Sequence, residues 1–218
     1  MGLRVLLSLL GVFFLLASIA TAGGLVPNPA NDRSLVAKPI EDFRYDGATS
    51  CRHGVPKGMK ELQSWLERNV RGESWGIMRC ERLKRRLNSG ATRLTPRRAD
   101  NFSLHSEGRA IDWHLDAGVA KQRRAAMRLI RILLAPDRNG NDAALARRMG
   151  VQGLIFDCKS WWAGMDGLSE YSYCYKRNGD LRNGLDRTQA HRDHLHIELN
   201  WPGARKRTSF WHSKASRR

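Results

Sequence analysis

Between residues 56 and 70 (PKGMKELQSWLERNV), apolar side chains recur at Met59, Leu62, Trp65, Leu66 and Val70. Steps of three and four residues are the spacing of one helix face, so a helix is predicted there. AGVAKQRRAAMRLIRILLAP (117–136) repeats the pattern through Val119, Ala126, Leu129, Ile130 and Leu133, and Pro136 marks its end. NDAALARRMG (141–150) predicts a short helix, with Asn141 or Asp142 as its cap and Gly150 as its stop. Two stretches alternate instead. In RAIDWHL (109–115), Ile111, Trp113 and Leu115 share one face, and Ala110, Asp112 and His114 share the other. Near the end, Leu195, Ile197 and Leu199 alternate with His194, His196 and Glu198. Each pattern predicts a strand with one apolar and one polar face.

Weaker signals fill the rest. VQGLIFDC (151–158) reads as a buried strand, GIMRCERL (76–83) as a short strand, and the aromatic run from Ser169 as a strand and a turn. NSGATRLTPRRADN (88–101) has the composition of a loop. Helices and strands alternate irregularly, which predicts an α+β domain built on a mainly antiparallel sheet. The domain is expected over 46–212, after an N-terminal arm or linker at 23–45 and before a loose basic tail at 213–218.

Composition adds location and charge. Arg4, an apolar run over 5–16 and the small residues Ala20 and Ala22 read as a secretory signal over 1–22. The run is shorter than the ~20 residues a spanning helix needs, so cleavage is expected and no membrane span after it. In an exported chain the four cysteines predict two disulfides. Cys51–Cys80 with Cys158–Cys174 closes the shortest loops and is the preferred pairing. A structural four-cysteine zinc site is excluded, because no close cysteine pair exists. The formal charge is +17, or +16 once Arg4 leaves with the signal. Such a field attracts polyanions, among them nucleic acid, anionic lipid and wall polymers, without selecting one.

The two polar strand faces carry the candidate chemistry. One offers Asp112 and His114, and the other His194 and His196. His105 precedes Asp112 by seven residues. A catalytic zinc takes three nitrogen or oxygen ligands and keeps one position for water, and His105, Asp112 and His196 meet that need. His114 is a lesser candidate ligand and otherwise lines the cleft. His191 reads as a loop bystander, Glu107 as solvated, Glu198 as a strand-face charge, and His53 and His212 as surface groups. Trp161 and Trp162 read as core or rim.

SLHSEGRAID followed by DHLHI resembles the zinc D-alanyl-D-alanine carboxypeptidases, in the group shared with lysostaphin-type endopeptidases and the hedgehog signalling domain. Their pattern is S-x-H-x-x-G-x-A-x-D, then an acidic residue three positions before a final ligand histidine. Ser103, His105, Gly108, Ala110 and Asp112 match the first part, and Asp193 and His196 the second. The chain also resembles exported extensin-like or actinobacterial relatives. The resemblance implies a hedgehog/DD-peptidase-like fold and zinc on His105, Asp112 and His196. It implies Asp193 as general base, His194 as stabiliser of charge beside the water, and Ser103 as a substrate contact. An upstream arginine would stabilise the oxyanion, with Arg93 preferred over Arg82. Asp193 is a departure, since many relatives carry the longer Glu there.

The leading functional expectation is an exported zinc peptidase acting on peptidoglycan stem peptides, with other anionic wall polymers as partners. No specific nucleic-acid partner is expected. The alternatives are an exported metal-dependent nuclease and a non-catalytic zinc module that binds wall or partner. An iron oxygenase is disfavoured, because the H-x-D/E spacing of its two-histidine, one-carboxylate site is absent.

Overall fold

The computed structural model describes residues 29–42, 44–50, 54–79 and 103–217. The signal region, Cys51, His53, Cys80, Arg82 and Arg93 lie outside the described residues.

In chain order the helices are α1 (Arg33–Val36), α2 (Lys57–Asn69), α3 (Ala120–Leu134), α4 (Ala144–Met149) and α5 (Trp201–Ala204). The strands are β1 (Ser74–Gly76), β2 (Ala110–His114), β3 (Val151–Phe156), β4 (Lys159–Trp162), β5 (Ser169–Glu170) and β6 (His194–Leu199). They form one six-stranded sheet in the order β1-β2-β6-β3-β4-β5. Every pairing is antiparallel. The fold is α+β.

The alternation in β2 and β6 does what its period requires. Ile111, Trp113, Leu195 and Ile197 are buried with Met59, Leu62 and Leu66 of α2 and Leu129, Ile130 and Leu133 of α3. Burying each such side chain stabilises the fold by ~1.5–3 kcal/mol. The two strands are central neighbours in the sheet, and the register sets Asp112 opposite His196 and His114 opposite His194. Directly opposed residues hold their Cβ atoms about 4.5–5.5 Å apart. Chain segments eighty or more positions apart therefore present their polar side chains to one place.

Several local expectations change. The N-cap of α4 is Ala143, which is left-handed at φ 48° and makes no side-chain cap bond, so neither Asn141 nor Asp142 caps the helix. Asn141 instead donates its side-chain amide to buried Asp137. The short strand expected from Gly76 onward ends there; β1 lies earlier, at Ser74–Gly76. The aromatic run after Ser169 is mostly turn, with one isolated bridge between Tyr175 and Leu181. The C-terminal tail is packed rather than loose. Ala215 and Ser216 are buried, and the Ser216 carbonyl accepts from Arg68. The described part of the N-terminal arm is packed too. Ala30 and Leu35 are buried, and backbone carbonyls at Lys38 and Glu41 accept from Arg148 and Arg147. Cys158 and Cys174 form a disulfide that closes a 16-residue loop. Among the described residues, no helix is long and apolar enough to cross a membrane.

Candidate metal centre

The motif around His105 is a set of local solutions to one problem, holding a loop histidine against a strand. Ser103 Oγ accepts from the His105 backbone N–H and caps the 3-10 turn Leu104–Glu107. Gly108 ends that turn at φ 67°, where a Cβ would lie 2.8 Å from Met78 Sδ. The left-handed backbone angle favours glycine, and a side chain there would also have to displace Met78. Ala110 packs with Ala48 and Leu104 in a small buried cluster.

Between these positions, Glu107 and Arg109 act as a clamp. Glu107 is buried, not solvated as the sequence reading had it. Its Oε1 accepts from the backbone N–H groups of Thr49 and Ser50, and its Oε2 pairs with Arg109. Burial raises the Glu107 carboxyl, but these hydrogen bonds and the guanidinium outweigh it and hold it below the ordinary value. Arg109 also donates to the carbonyls of Leu199 and Gly47. The turn, the 47–50 segment and the end of β6 are thereby tied together.

At the centre, Asp112 Oδ1 lies 3.1 Å from His105 Nε2, 2.9 Å from His196 Nδ1 and 3.4 Å from His194 Nε2. His105 Nε2 and His196 Nδ1 are 3.3 Å apart. On each ring the outward-facing nitrogen also meets an acceptor. His105 Nδ1 lies 2.7 Å from the Ile77 carbonyl, His196 Nε2 lies 3.0 Å from Glu198 Oε1, and His194 Nδ1 lies 2.7 Å from Asp193 Oδ1. In the tautomer that places the proton on each outer nitrogen, every ring turns a bare lone pair toward the Asp112 oxygen, as a metal ligand must. Protonation does not relieve the crowding. Burial, then neighbouring His196, pushes His105 down to about 2. Burial also lowers His194, although Asp193 acts the other way.

Two imidazole nitrogens and a carboxylate oxygen converging on one place are a donor set that suits a divalent cation. Tetrahedral bonds of ~2.0–2.1 Å separate ligand atoms by roughly 3.3–3.4 Å, close to the spacings seen. His105, Asp112 and His196 thus fit a zinc ion, with Ile77 and Glu198 orienting the two rings.

The remaining candidates separate clearly. His191, read from sequence as a bystander, belongs to the cluster. Its ring centre is 4.7 Å from that of His194 and 5.4 Å from that of His196. With those two it forms a second group of convergent ligand atoms. Its backbone is left-handed at φ 52°, and its carbonyl accepts from Asp157 N–H, which hold the ring in place. Burial, then His196 and His194, lowers it to about 2. Asp193 meets the cluster through His194, and its other oxygen accepts from Thr188 Oγ1. Burial raises its carboxyl, but the Thr188 and His194 hydrogen bonds prevail and keep it below the ordinary value.

His114 belongs to neither convergent group and stacks at 4.3 Å on exposed Trp75, forming a rim beside His194. Trp161 is core, and Trp162 meets Tyr45 edge-on. Glu198 is buried and accepts from Tyr45 on its second oxygen. The Tyr45 hydroxyl is pushed above its usual range by burial and by Glu198. The structure also adds a cation that the sequence reading missed. Half-exposed Arg79 contacts Asp112 Oδ2, and its backbone N–H donates to the His105 carbonyl. The signal for it was weak, one arginine among many in a basic segment.

Compared with known proteins, the chain matches no family model, no curated protein and no solved structure.

Proposed function

We propose that the protein is an exported zinc peptidase that hydrolyses a peptide amide of bacterial cell-wall peptidoglycan, on a hedgehog/DD-peptidase-like fold. One observation carries the reading: three imidazole nitrogens converge on Asp112 Oδ1, while Ile77, Glu198 and Asp193 each offer an acceptor to the outer nitrogen of a ring. His105, Asp112 and His196 would hold the metal. When bound, zinc would acidify a water to a pKa near 7 and polarise the scissile carbonyl.

The protein's own groups supply the rest. His194 Nε2 takes the proton of the attacking water, since it is the bare nitrogen facing the cluster. Asp193 holds the tautomer and steadies the ring once it is charged, as its hydrogen bond to Nδ1 allows. This exchanges the two roles that the family resemblance implied for Asp193 and His194. His191, half-buried and neutral beside His194, forms one wall of the pocket around that proton. Arg79 is the cation beside the reacting centre and stabilises the oxyanion, the role expected of Arg93 or Arg82. Ser103 acts by capping the His105 turn, with its exposed side available to substrate.

Metal analysis of purified protein, His105→Ala and His196→Ala tests the site. About one zinc per chain is expected in the parent and near none in the variants; unchanged metal refutes it. Incubation with muropeptides and with plasmid DNA, with and without chelator, tests the reaction. Chelator-sensitive muropeptide cleavage is expected, and the products distinguish carboxypeptidase from endopeptidase. Cleavage of DNA alone makes the protein a nuclease. Zinc without hydrolysis makes it a binding module. His194→Ala is expected to abolish cleavage with zinc retained, and Asp193→Asn to reduce it 10²-fold or more.

A further inference from the structure

Beyond the metal cluster, α3 carries Lys121, Arg123, Arg124, Arg128 and Arg131 and no acidic residue. Lys121, Arg124, Arg128 and Arg131 are three or four residues apart, so they share one face. All four are exposed and line a groove of about 800 Å³ that Arg71 also lines. Val70, Leu129 and Ile132 also line it, and among the described residues Glu73 is the one acidic residue that does. Arg123, off this face, lies 3.6 Å from Asp157. Like charges at these spacings weaken a helix. The groove reaches His114, whose strand carries Asp112.

We infer that this groove binds a linear phosphodiester polymer of polyol units, an anionic wall polymer that would anchor the enzyme beside its substrate. Successive cations follow the helix at about one per turn, ~5 Å, which suits a chain with an anion in every short repeat. Single-stranded nucleic acid fits less well, because it is gripped by exposed aromatic platforms. The aromatic rings lining this groove are Trp65, which is buried, and His114, whose face is covered by Trp75. The polyanion groove stands on its own geometry. Its assignment to a wall polymer rests on the proposed wall peptidase function.

Binding of purified poly(glycerol phosphate) to the zinc-loaded protein, followed by calorimetry between 50 and 200 mM salt, tests this without requiring hydrolysis. Arg124→Gln/Arg128→Gln/Arg131→Gln is expected to bind at least tenfold more weakly. The slope of log K against log salt should fall in magnitude by about 2, at ~0.7 per charge lost. Lys176→Gln/Arg177→Gln/Arg207→Gln, equal in charge but elsewhere on the surface, should bind within twofold of the parent. Gln replaces Arg with little change in helix propensity, and circular dichroism and bound zinc should match the parent in both variants. If the triple variant misfolds, Lys121→Gln/Arg124→Gln is expected to lose about threefold. Cleavage of soluble muropeptides should be unchanged, and failure of that cleavage in the parent leaves the binding result intact. The inference is overturned if the parent does not bind, if both triple variants weaken equally, or if an oligodeoxyadenylate of equal charge binds more tightly than the polymer.

Discussion

Glu198 faces His196 from outside the proposed metal position, so its replacement tests the lone-pair argument without touching a proposed ligand. Its Oε1 lies 3.0 Å from His196 Nε2 and its Oε2 lies 3.2 Å from the Tyr45 hydroxyl. The side chain is only 6% exposed, so water cannot readily take its place. Partners of this kind are worth about 10–100-fold in metal affinity. Glu198→Ala leaves Nε2–H without its acceptor and is expected at the upper end, about 100-fold. Glu198→Gln keeps an acceptor oxygen and loses the charge, so about tenfold is expected. Zinc affinity is measured by competition with a chromophoric chelator at pH 7.5. Thermal unfolding gives a second readout. With free zinc at a hundred times the parent Kd, binding stabilises the parent by ~2.7 kcal/mol, the Gln variant by ~1.4 and the Ala variant by ~0.4. If Glu198→Ala binds zinc within twofold of the parent, His196 is not held by Glu198 and the proton assignment is wrong.

Two further outcomes follow from burial and packing. In metal-free protein, His105 and His191 fall from an ordinary value of 6.5 to about 2, so the unfolded chain binds protons that the folded one refuses. Stability is therefore full above pH 6.5 and is lost as pH falls toward 2, by up to ~1.4 kcal/mol per pH unit for each histidine. Urea titrations of the metal-free protein from pH 7 to 4 check this, and a flat profile contradicts it. Gly58 lies in the first turn of α2, where a Cβ would sit 2.0 Å from the Gly203 carbonyl oxygen in α5. Gly58→Ala gains helix propensity yet should lose ~1–3 kcal/mol to overpacking, lowering Tm by roughly 2–10 °C. A Tm at or above the parent's refutes the close approach of α2 and α5.

Much of the fold is legible locally. The amphipathic periods of α2, α3, β2 and β6 are set by which side chains avoid water, and they survive in the structure with small shifts at their ends. Caps were less legible, because Asn141 found a better partner in buried Asp137 than in the helix terminus. The tail at 213–217 reads as polar and loose. Ala215 and Ser216 are nonetheless buried, which depends on what lies across from them.

For the candidate site, the chain by itself determined which residue types were on offer. That His105, Asp112 and His196 could share one place was readable from residue chemistry and alternation, because a strand of period two puts its polar residues on one side, and the structure brings the three together. The tertiary structure decided three things. It made β2 and β6 neighbours and set the register that opposes Asp112 to His196. It turned Asp193 toward His194 and drew His191 and Arg79 to the cluster. It also buried Glu107, which was expected to be solvated, and Glu198, expected as a strand-face charge. Each of these depends on contacts between residues far apart in the chain, and a local period carries no record of them. What a side chain is can be read in order along the sequence; which proton it holds depends on the atom that faces it.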